Sequence, residues 1–540
     1  MSLVNDTLWY KNAIFYEVYI RAFRDTNGDG HGDLPGVIEK LDYLRELGVD
    51  CIWLQPLYLS PLRDDGYDIA DYYKILPEYG TVEDFKNLIA AAHQRGMRVI
   101  TDLVMNHTSD QHPWFQMARK DRTSPYRNYY VWSDTDDRYK DVRIIFLDTE
   151  KSNWTWDEEA GQYFWHRFFS CQPDLNYDNP AVRDEMLNII RYWLEMGIDG
   201  FRADAIPYLY EREGTNGENL PETHAFLKEI RAFMNANYPD AILLGEANQW
   251  PEDVKEYFSA GDELHMNFHF PLMPRMYMAL GKGDVTSLKW VFERTPEIPH
   301  NCQWCTFLRN HDELTLEMVT EDERQYMWKR YAPNPRMRLN LGIRRRLAPL
   351  MDNDQRRIRL LFSMLFSMPG TPILYYGDEI GMGDNIELFD RNGVRTPMQW
   401  TDGINAGFSD APAEHLYTPI IASSAYNAEE VNVAASLEDK QSLYYFIRHL
   451  IRLRKEHPEL ASGAMEWLPV GTNSVAAYRR ADGDQVLAAI HNLKDAPVNI
   501  RLEIPGIDTP VKDLLTGSIA YDPFDYRLSL QPYQTIWFSN

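Results

Sequence analysis

Cysteine is scarce: the 540-residue chain has four, Cys51, Cys171, Cys302 and Cys305. So few, so irregularly spaced, exclude a disulfide framework and point to a reducing compartment, so a cytoplasmic protein is expected. Cys302 and Cys305 form a C-x-x-C, but no second pair or histidine cluster stands near them to complete a zinc site, and they read as packing residues. Positive charge is short as well. Lys and Arg number 55 against 81 Asp and Glu, a net charge of -26, which opposes a phosphate backbone and removes nucleic acid and anionic membrane from the expected partners. The opening MSLVNDTLWY has no basic segment followed by an apolar one, so no secretory leader is read. The longest apolar stretch, LLFSMLFSMPGTPILYYG from Leu360, is broken by Pro369 and Gly370 and is too short on either side to span a bilayer. Aromatic residues, by contrast, are plentiful, with 15 Trp and 33 Tyr. Rings with a polar tip suit a pocket for a ligand that is part apolar and part polar, such as a sugar.

Short apolar runs recur with amphipathic stretches between them. The runs are IFYEVYI from Ile14, CIWLQP from Cys51, RVITDLVMNH from Arg98, GFRADA from Gly200, AILLGEA from Ala241, ELHMNFHF from Glu263, QWCTFLRNHDE from Gln303 and PILYYGDEIG from Pro372. Between them VIEKLDYLRELG, VEDFKNLIAAAHQRG, VRDEMLNIIRYWLEMG and HAFLKEIRAFM carry apolar residues at helical spacing. Strand then helix, repeated, predicts a parallel sheet covered by helices, and eight units predict a closed (β/α)8 barrel. The rival, an open doubly wound sheet, would carry a glycine-rich phosphate turn after the first strand, and none is present. The fold class expected is therefore α/β, with a small domain inserted after the third strand and a C-terminal antiparallel β-sandwich. Residues 1–107 and 179–463 are assigned to the barrel, with a charged insertion at about 314–352, residues 108–178 to the inserted domain, and 464–540 to the sandwich.

In such a barrel the site forms where strands end and loops begin, so polar residues there carry a functional expectation. Arg202 and Asp204 end the fourth predicted strand, Glu246 the fifth, His311 and Asp312 the seventh, while Asp102, Asn106 and His107 lie along the third. Two carboxylates on adjacent strands can stand roughly 5 to 5.5 Å apart, which suits a retaining glycosidic displacement. Asp204 is expected to be the nucleophile, held ionised with a lowered pKa by Arg202. Glu246 must stay protonated and needs a drier, less cationic setting, and Asp312 would stabilise the oxocarbenium-like charge. The bland alternative for any one of these is a structural ion pair; four strand ends together weigh against it. Separately, DTNGDGHGD from Asp25 places oxygens at alternate positions around glycines, a calcium-loop geometry from Asp25, Asn27, Asp29, the His31 carbonyl and Asp33. It is not an EF-hand, because Gly36 stands where that motif needs a bidentate Glu.

DLVMNH (102–107), GFRADA (200–205), LLGEA (243–247) and LRNHD (308–312) resemble, in order, the four signature regions of the α-amylase family of glycoside hydrolases and transglycosylases. The likeness extends from about residue 10 to 460 and includes GYDI (66–69), QPDLN (172–176) and RTPMQW (395–400). It implies the roles already named for Asp204, Glu246 and Asp312. It also implies that His107, Arg202 and His311 line the sugar subsite, that Tyr67 stacks on the ring, and that Asp68 with Arg395 grips its non-reducing edge. The run PYLYEREGTNGENLPETHAFLKEIR from Pro207, with LGEANQWPED and HFPLMPR, is similar to the branch that isomerises maltose to trehalose with minor hydrolysis. A hydrolytic α-glucosidase or oligo-1,6-glucosidase is the nearest rival and a sucrose isomerase a weaker one. A catalytically silent binding module is disfavoured, since all three carboxylates are present and no spanning segment is. Isomerisation needs a site closed against water, and Arg143, Tyr208, Asn248, Glu313 and Glu317 are the expected closing groups. The resemblance further implies a second structural calcium at Asn106, Asp174, the Tyr208 and Leu209 carbonyls and Glu211. No organic cofactor is expected, only calcium, or magnesium at one site. The partners expected are a disaccharide substrate, a second copy of the chain and a separate maltokinase.

Overall fold

In the computed structural model eight strands, β1 (Phe15–Val18), β2 (Cys51–Leu54), β3 (Arg98–Val104), β4 (Gly200–Asp204), β5 (Ile242–Gly245), β6 (Met266–Phe268), β7 (Gln303–Phe307) and β8 (Thr371–Tyr375), close into one barrel. Each pairs in parallel with its neighbours in sequence, and β1 pairs with both β2 and β8, which closes the ring. Residues 7–518 and 520–540 are described; the first six residues of the segment in which no leader was read lie outside them. Every residue of the eight strands is buried. Both faces of such strands are covered, which is why they read as continuous apolar runs and not as alternating ones.

The covering helices follow from local chemistry. Val82–Gln94 starts at a capping box between Thr81 and Asp84 and buries Phe85, Leu88, Ile89 and Ala92, one stripe of the helix. Pro180–Glu195 starts at an Asn179 cap with proline in its first turn and buries Val182, Met186, Ile189, Ile190 and Trp193.

Two insertions leave the carboxyl-terminal face of the barrel. After β3 comes a three-stranded antiparallel sheet, Trp132–Ser133, Gln162–Trp165 and Trp154–Asp157, tied back to the barrel by a bridge between His107 and Asp174. After β7 the chain forms the helix Glu321–Tyr331 and a short hairpin, Arg338–Leu339 with Gly342–Ile343, that sequence reading did not anticipate. Four antiparallel strands, Ala464–Trp467, Val475–Asp482, Gln485–Asn492 and Thr535–Ser539, form the main C-terminal sheet over its own apolar core. Among the described residues no helix is long and apolar enough to cross a membrane. Cys51, Cys302 and Cys305 are buried and unbridged.

Candidate active site

The buried charge pair in GFRADA is explained by strand periodicity. Side chains two apart on a strand share a face, so Arg202 and Asp204 both project into the barrel. Register sets Arg202 beside Asp102 of β3 and Leu244 of β5. The Arg202 guanidinium donates to Asp102 Oδ1 at 2.5 Å and to Asp204 Oδ1 through Nη1, and lies 2.6 Å from Glu246 Oε1 through Nη2. One cation thus holds three carboxylates, two on the adjacent strands β3 and β4 and one just past the end of β5. The rings of Trp53 and Tyr67 flank it at 5.2 and 5.6 Å, and Trp53 Nε1 donates to the far oxygen of Asp102. Ala205, next to Asp204, adopts a left-handed φ of 52°, and its N–H donates to Glu246 Oε2 at 3.2 Å. That conformation costs a non-glycine residue about 1 to 3 kcal/mol, and such strain gathers where a site needs a particular geometry.

Electrostatics differ from expectation in one respect. Burial pushes Asp204 up to about 6, outweighing the downward pull of Arg202, so the arginine does not leave it below the ordinary range. Glu246 does not avoid the cation but shares it. Burial, reinforced by Asp204 and Asp312 and opposed by Arg202, lifts Glu246 to about 8. Near pH 7 the first is mainly carboxylate and the second mainly acid, the division that a nucleophile and a proton donor need. Asp312 is only partly buried, and the upward push of desolvation is overcome there by His311, Arg391, Arg395 and Arg202, which hold it well below the usual carboxylate range.

All three carboxylates line one cavity of about 120 Å³, with Tyr67, His107 and His311. Tyr67 lies parallel to His311, ring centres 5.3 Å apart, with its hydroxyl 2.8 Å from His311 Nε2. His107 is buried against the Tyr67 carbonyl, and burial pushes its pKa down to about 3, so it is neutral. The expectation for Asp68 and Arg395 is corrected. Asp68 is turned into its own loop, accepting from Ser60 Oγ and from the N–H groups of Arg63 and Asp64, which leaves it no face toward the cavity. Arg395 lies behind the site, bound to Asp65, the His311 carbonyl and Asp312. The pair at the cavity wall is Asp64 and Arg391, 2.8 Å apart, with Arg391 also 2.8 Å from Asp312. Three aspartates within DDGYD, at 64, 65 and 68, are alike in sequence, and nothing local tells which one faces the sugar.

The roof comes from the insertions. Arg143, from the first, pairs with Glu218 at 2.7 Å and Glu317 at 2.8 Å and reaches the Tyr208 hydroxyl at 3.3 Å. Phe146 from the same segment and Phe168 enter the cavity wall, and the Arg391 guanidinium lies over Phe146 at 5.3 Å. Asn340, at the tip of the unexpected hairpin, donates its backbone N–H to Asp148 and its amide to Glu313, joining the second insertion to the first. Asn248 donates to Thr315 Oγ1 at 3.3 Å, while its own Oδ1 is buried without a partner beside the cavity. Arg391, Asp64, Asn340, Phe146, Phe168 and Thr315 were not singled out in advance.

The two metal expectations fare differently. In the Asp25–Asp33 loop the Asp25 carboxylate accepts from the N–H groups of Asn27, Gly28 and Gly30 and from Ser409 Oγ. Asp33 accepts from Thr26 and Gly36, Asn27 from the Asp29 N–H, and Asp29 from the His31 N–H. The oxygens of this loop are thus engaged by its own donors and by Ser409. At the second place Asn106 Oδ1, Asp174 Oδ2 and Glu211 Oε1 are all buried acceptors without a donor. Orphaned buried oxygens of this kind fit a hard cation. Tyr208 and Leu209 are buried on the turn leading to Glu211.

A model of the alpha amylase catalytic domain matches residues 17–334 and 343–463. The chain belongs to the α-amylase family. Within it, the chain is 55% identical over 550 residues to the trehalose synthase/amylase TreS of Mycobacterium tuberculosis, covering 99% of this chain and 91% of that protein. It is 54% identical to the trehalose synthase of Pimelobacter sp. strain R48, over 100% and 98% of the two chains. Among solved structures, an isomaltulose synthase from Klebsiella sp. LX3 superposes with a TM-score of 0.81 at 30% identity, covering 98% and 99% of the two chains. A family of isomerases and glucosyltransferases thus surrounds it, and it is an enzyme of that kind.

Proposed function

We propose that the enzyme converts maltose to trehalose by intramolecular glucosyl transfer with retention. Asp204 attacks the anomeric carbon of the non-reducing glucose while Glu246 gives its proton to the departing glycosidic oxygen. The C1–O4 bond breaks, a covalent glucosyl–Asp204 ester forms, and Asp312 offsets the positive charge that builds on the ring. The freed glucose stays in the cavity and turns. Its anomeric hydroxyl gives a proton to Glu246 and attacks C1, expelling Asp204 and forming the α,α-1,1 link. Two inversions leave the configuration unchanged. Water taking the same place gives minor hydrolysis to glucose.

The observation that carries this reading is the roof: Arg143 spans Glu218, Glu317 and Tyr208 above the carboxylates. An enclosed site keeps the intermediate from bulk water while glucose reorients. The unpartnered Asn248 Oδ1 would accept a hydrogen bond from a hydroxyl of that glucose. Asp64 and Arg391 would grip the far edge of the transferred ring, the part first expected of Asp68 and Arg395. Asn106, Asp174 and Glu211 would hold a calcium or magnesium ion that stiffens the junction between barrel and insertion; no step runs through it. A cytoplasmic setting, a homodimer and a separate maltokinase belong to the same proposal. The test is incubation with maltose while reducing sugar and glucose are both followed. Falling reducing sugar with little glucose supports isomerisation; two glucose per maltose would replace it with hydrolysis.

A further inference from the structure

The hairpin after β7 touches three separate walls of the cavity. Its second strand is paired with Leu314, the residue after Glu313: the Leu314 N–H donates to the Ile343 carbonyl at 2.8 Å and the Ile343 N–H to the Leu314 carbonyl at 3.0 Å. Arg344, just past the hairpin, donates to the carbonyls of Ile386, Leu388 and Asp390, and so holds the loop that leads into Arg391. At the tip Asn340 meets Asp148 of the first insertion, two residues after the cavity-lining Phe146. Asn340 itself does not line the cavity.

These contacts bear on Glu313. Its half-buried side chain lines the cavity beside Asp312. Gly342 packs on its stem so closely that a Cβ there would stand 2.5 Å from Glu313 Cγ. Asn340 Nδ2 donates to Glu313 Oε1 at 3.1 Å, and among the described residues no other side-chain hydrogen bond reaches that carboxylate. The Asn340 amide is itself held. Its Oδ1 accepts from the Asp148 N–H at 3.4 Å, while its own backbone N–H donates to Asp148 Oδ2 at 2.8 Å. With the amide oxygen facing a donor, the nitrogen is left for the acceptor, Glu313. The backbone at Asn340 is left-handed, φ 49°, a conformation that asparagine and glycine enter more readily than other residues.

A glutamate side chain has three rotatable bonds, and freezing it only when a ligand arrives weakens the hold on that ligand. Held beforehand, Glu313 is a ready acceptor for sugar hydroxyls. We propose that Asn340 is a positioning residue that sets Glu313 in the cavity wall as an acceptor for hydroxyls of the freed glucose, and so biases the glucosyl intermediate toward glucose over water. The glucose contact rests on the glucosyl-transfer reading above.

The test uses the full-length enzyme with two substrates: maltose, and an aryl α-glucoside supplied with a fixed concentration of glucose, whose glucosyl group partitions between added glucose and water. Asn340→Gly keeps the left-handed tip and the backbone N–H that Asp148 accepts, and removes the amide from Glu313. It is expected to raise the glucose share from maltose about three- to tenfold and to lower the transfer-to-hydrolysis ratio from the aryl glucoside by a like factor, the scale of one hydrogen bond. Burst release of the phenol, which reports the first displacement, should change less than about twofold. In a Glu313→Ala background the same substitution should move the partition less than about twofold, since its effect runs through that carboxylate; a ratio can be read even where turnover is low. Should the glycine variant not fold, Asn340→Ala carries the same expectations. The proposal is overturned if Asn340→Gly changes only the melting temperature, if it lowers isomerisation and hydrolysis alike, or if its effect on partition is undiminished in Glu313→Ala. A parent that hydrolyses maltose but passes glucosyl groups from the aryl glucoside to added glucose sinks the substrate reading and leaves this one to the partition assay. A parent that transfers to glucose from neither substrate sinks both.

Discussion

The floor and the roof of the cavity are built in opposite ways. The floor is strand: Asp102, Arg202 and Asp204 project from β3 and β4 and Glu246 follows β5, all within reach of one guanidinium that is 1% exposed. The roof is loop. Arg143 keeps 36% of its side-chain surface exposed and spans groups 65 to 174 residues away in sequence. Rigid backbone can hold charges to the tolerance that bond-making needs, whereas loops held by half-exposed ion pairs can open to admit a disaccharide. On the proposed reading, the floor sets whether glucose is transferred, and the roof sets to what.

The sharpest way to break that division is at the floor. Asp204→Asn is expected to lower kcat on maltose about 10⁴-fold or more, since no other group can form the ester; initial rates with an intact thermal melt check it. Arg202→Ala should cost about 10²- to 10³-fold, the scale for removing one preorganised electrostatic partner, and the loss should appear in kcat more than in KM. The floor should also govern pH dependence. Asp204 is raised to about 6 and must be ionised, so activity should climb as pH passes that value. Glu246 is raised to about 8 and must be protonated, so activity should fall above it. A bell in kcat/KM between these limbs is the expected outcome, and one whose alkaline limb survives Glu246→Gln on an activated substrate would reassign the acid.

Roof substitutions should act on product ratio. Arg143→Ala is expected to raise the glucose share of products about three- to tenfold while changing maltose consumption less than about tenfold, because it opens the site without touching the carboxylates. Equal losses of isomerisation and hydrolysis would erase the proposed difference between floor and roof. Smallest should be the junction. Removing divalent metal with a chelator is expected to lower the melting temperature by a few degrees, as for a ligand bound only to the folded state, and Glu211→Gln should abolish that shift.

Much of the floor was readable from the chain alone. GFRADA has the two-residue spacing that puts a cation and a carboxylate on one face, and the eight apolar runs have the strand and helix periods of a barrel. Roof contacts were readable only as a list of polar candidates. Arg143, Tyr208 and Glu317 do meet, but their common partner Glu218 and the Asn340 hairpin carry no pattern that marks them.

What the amino-acid order decided by itself is therefore what lies within a few residues: strand faces, helix caps, and which strand ends carry acids. Tertiary structure decided which of Asp64, Asp65 and Asp68 faces the cavity and that Glu246 shares Arg202 with Asp204. It also decided that burial, not the arginine, has the larger say in the pKa of Asp204. The reason is physical. Periodicity is a property of neighbouring residues, but desolvation and the meeting of distant loops exist only after the barrel has closed and the insertions have folded over it.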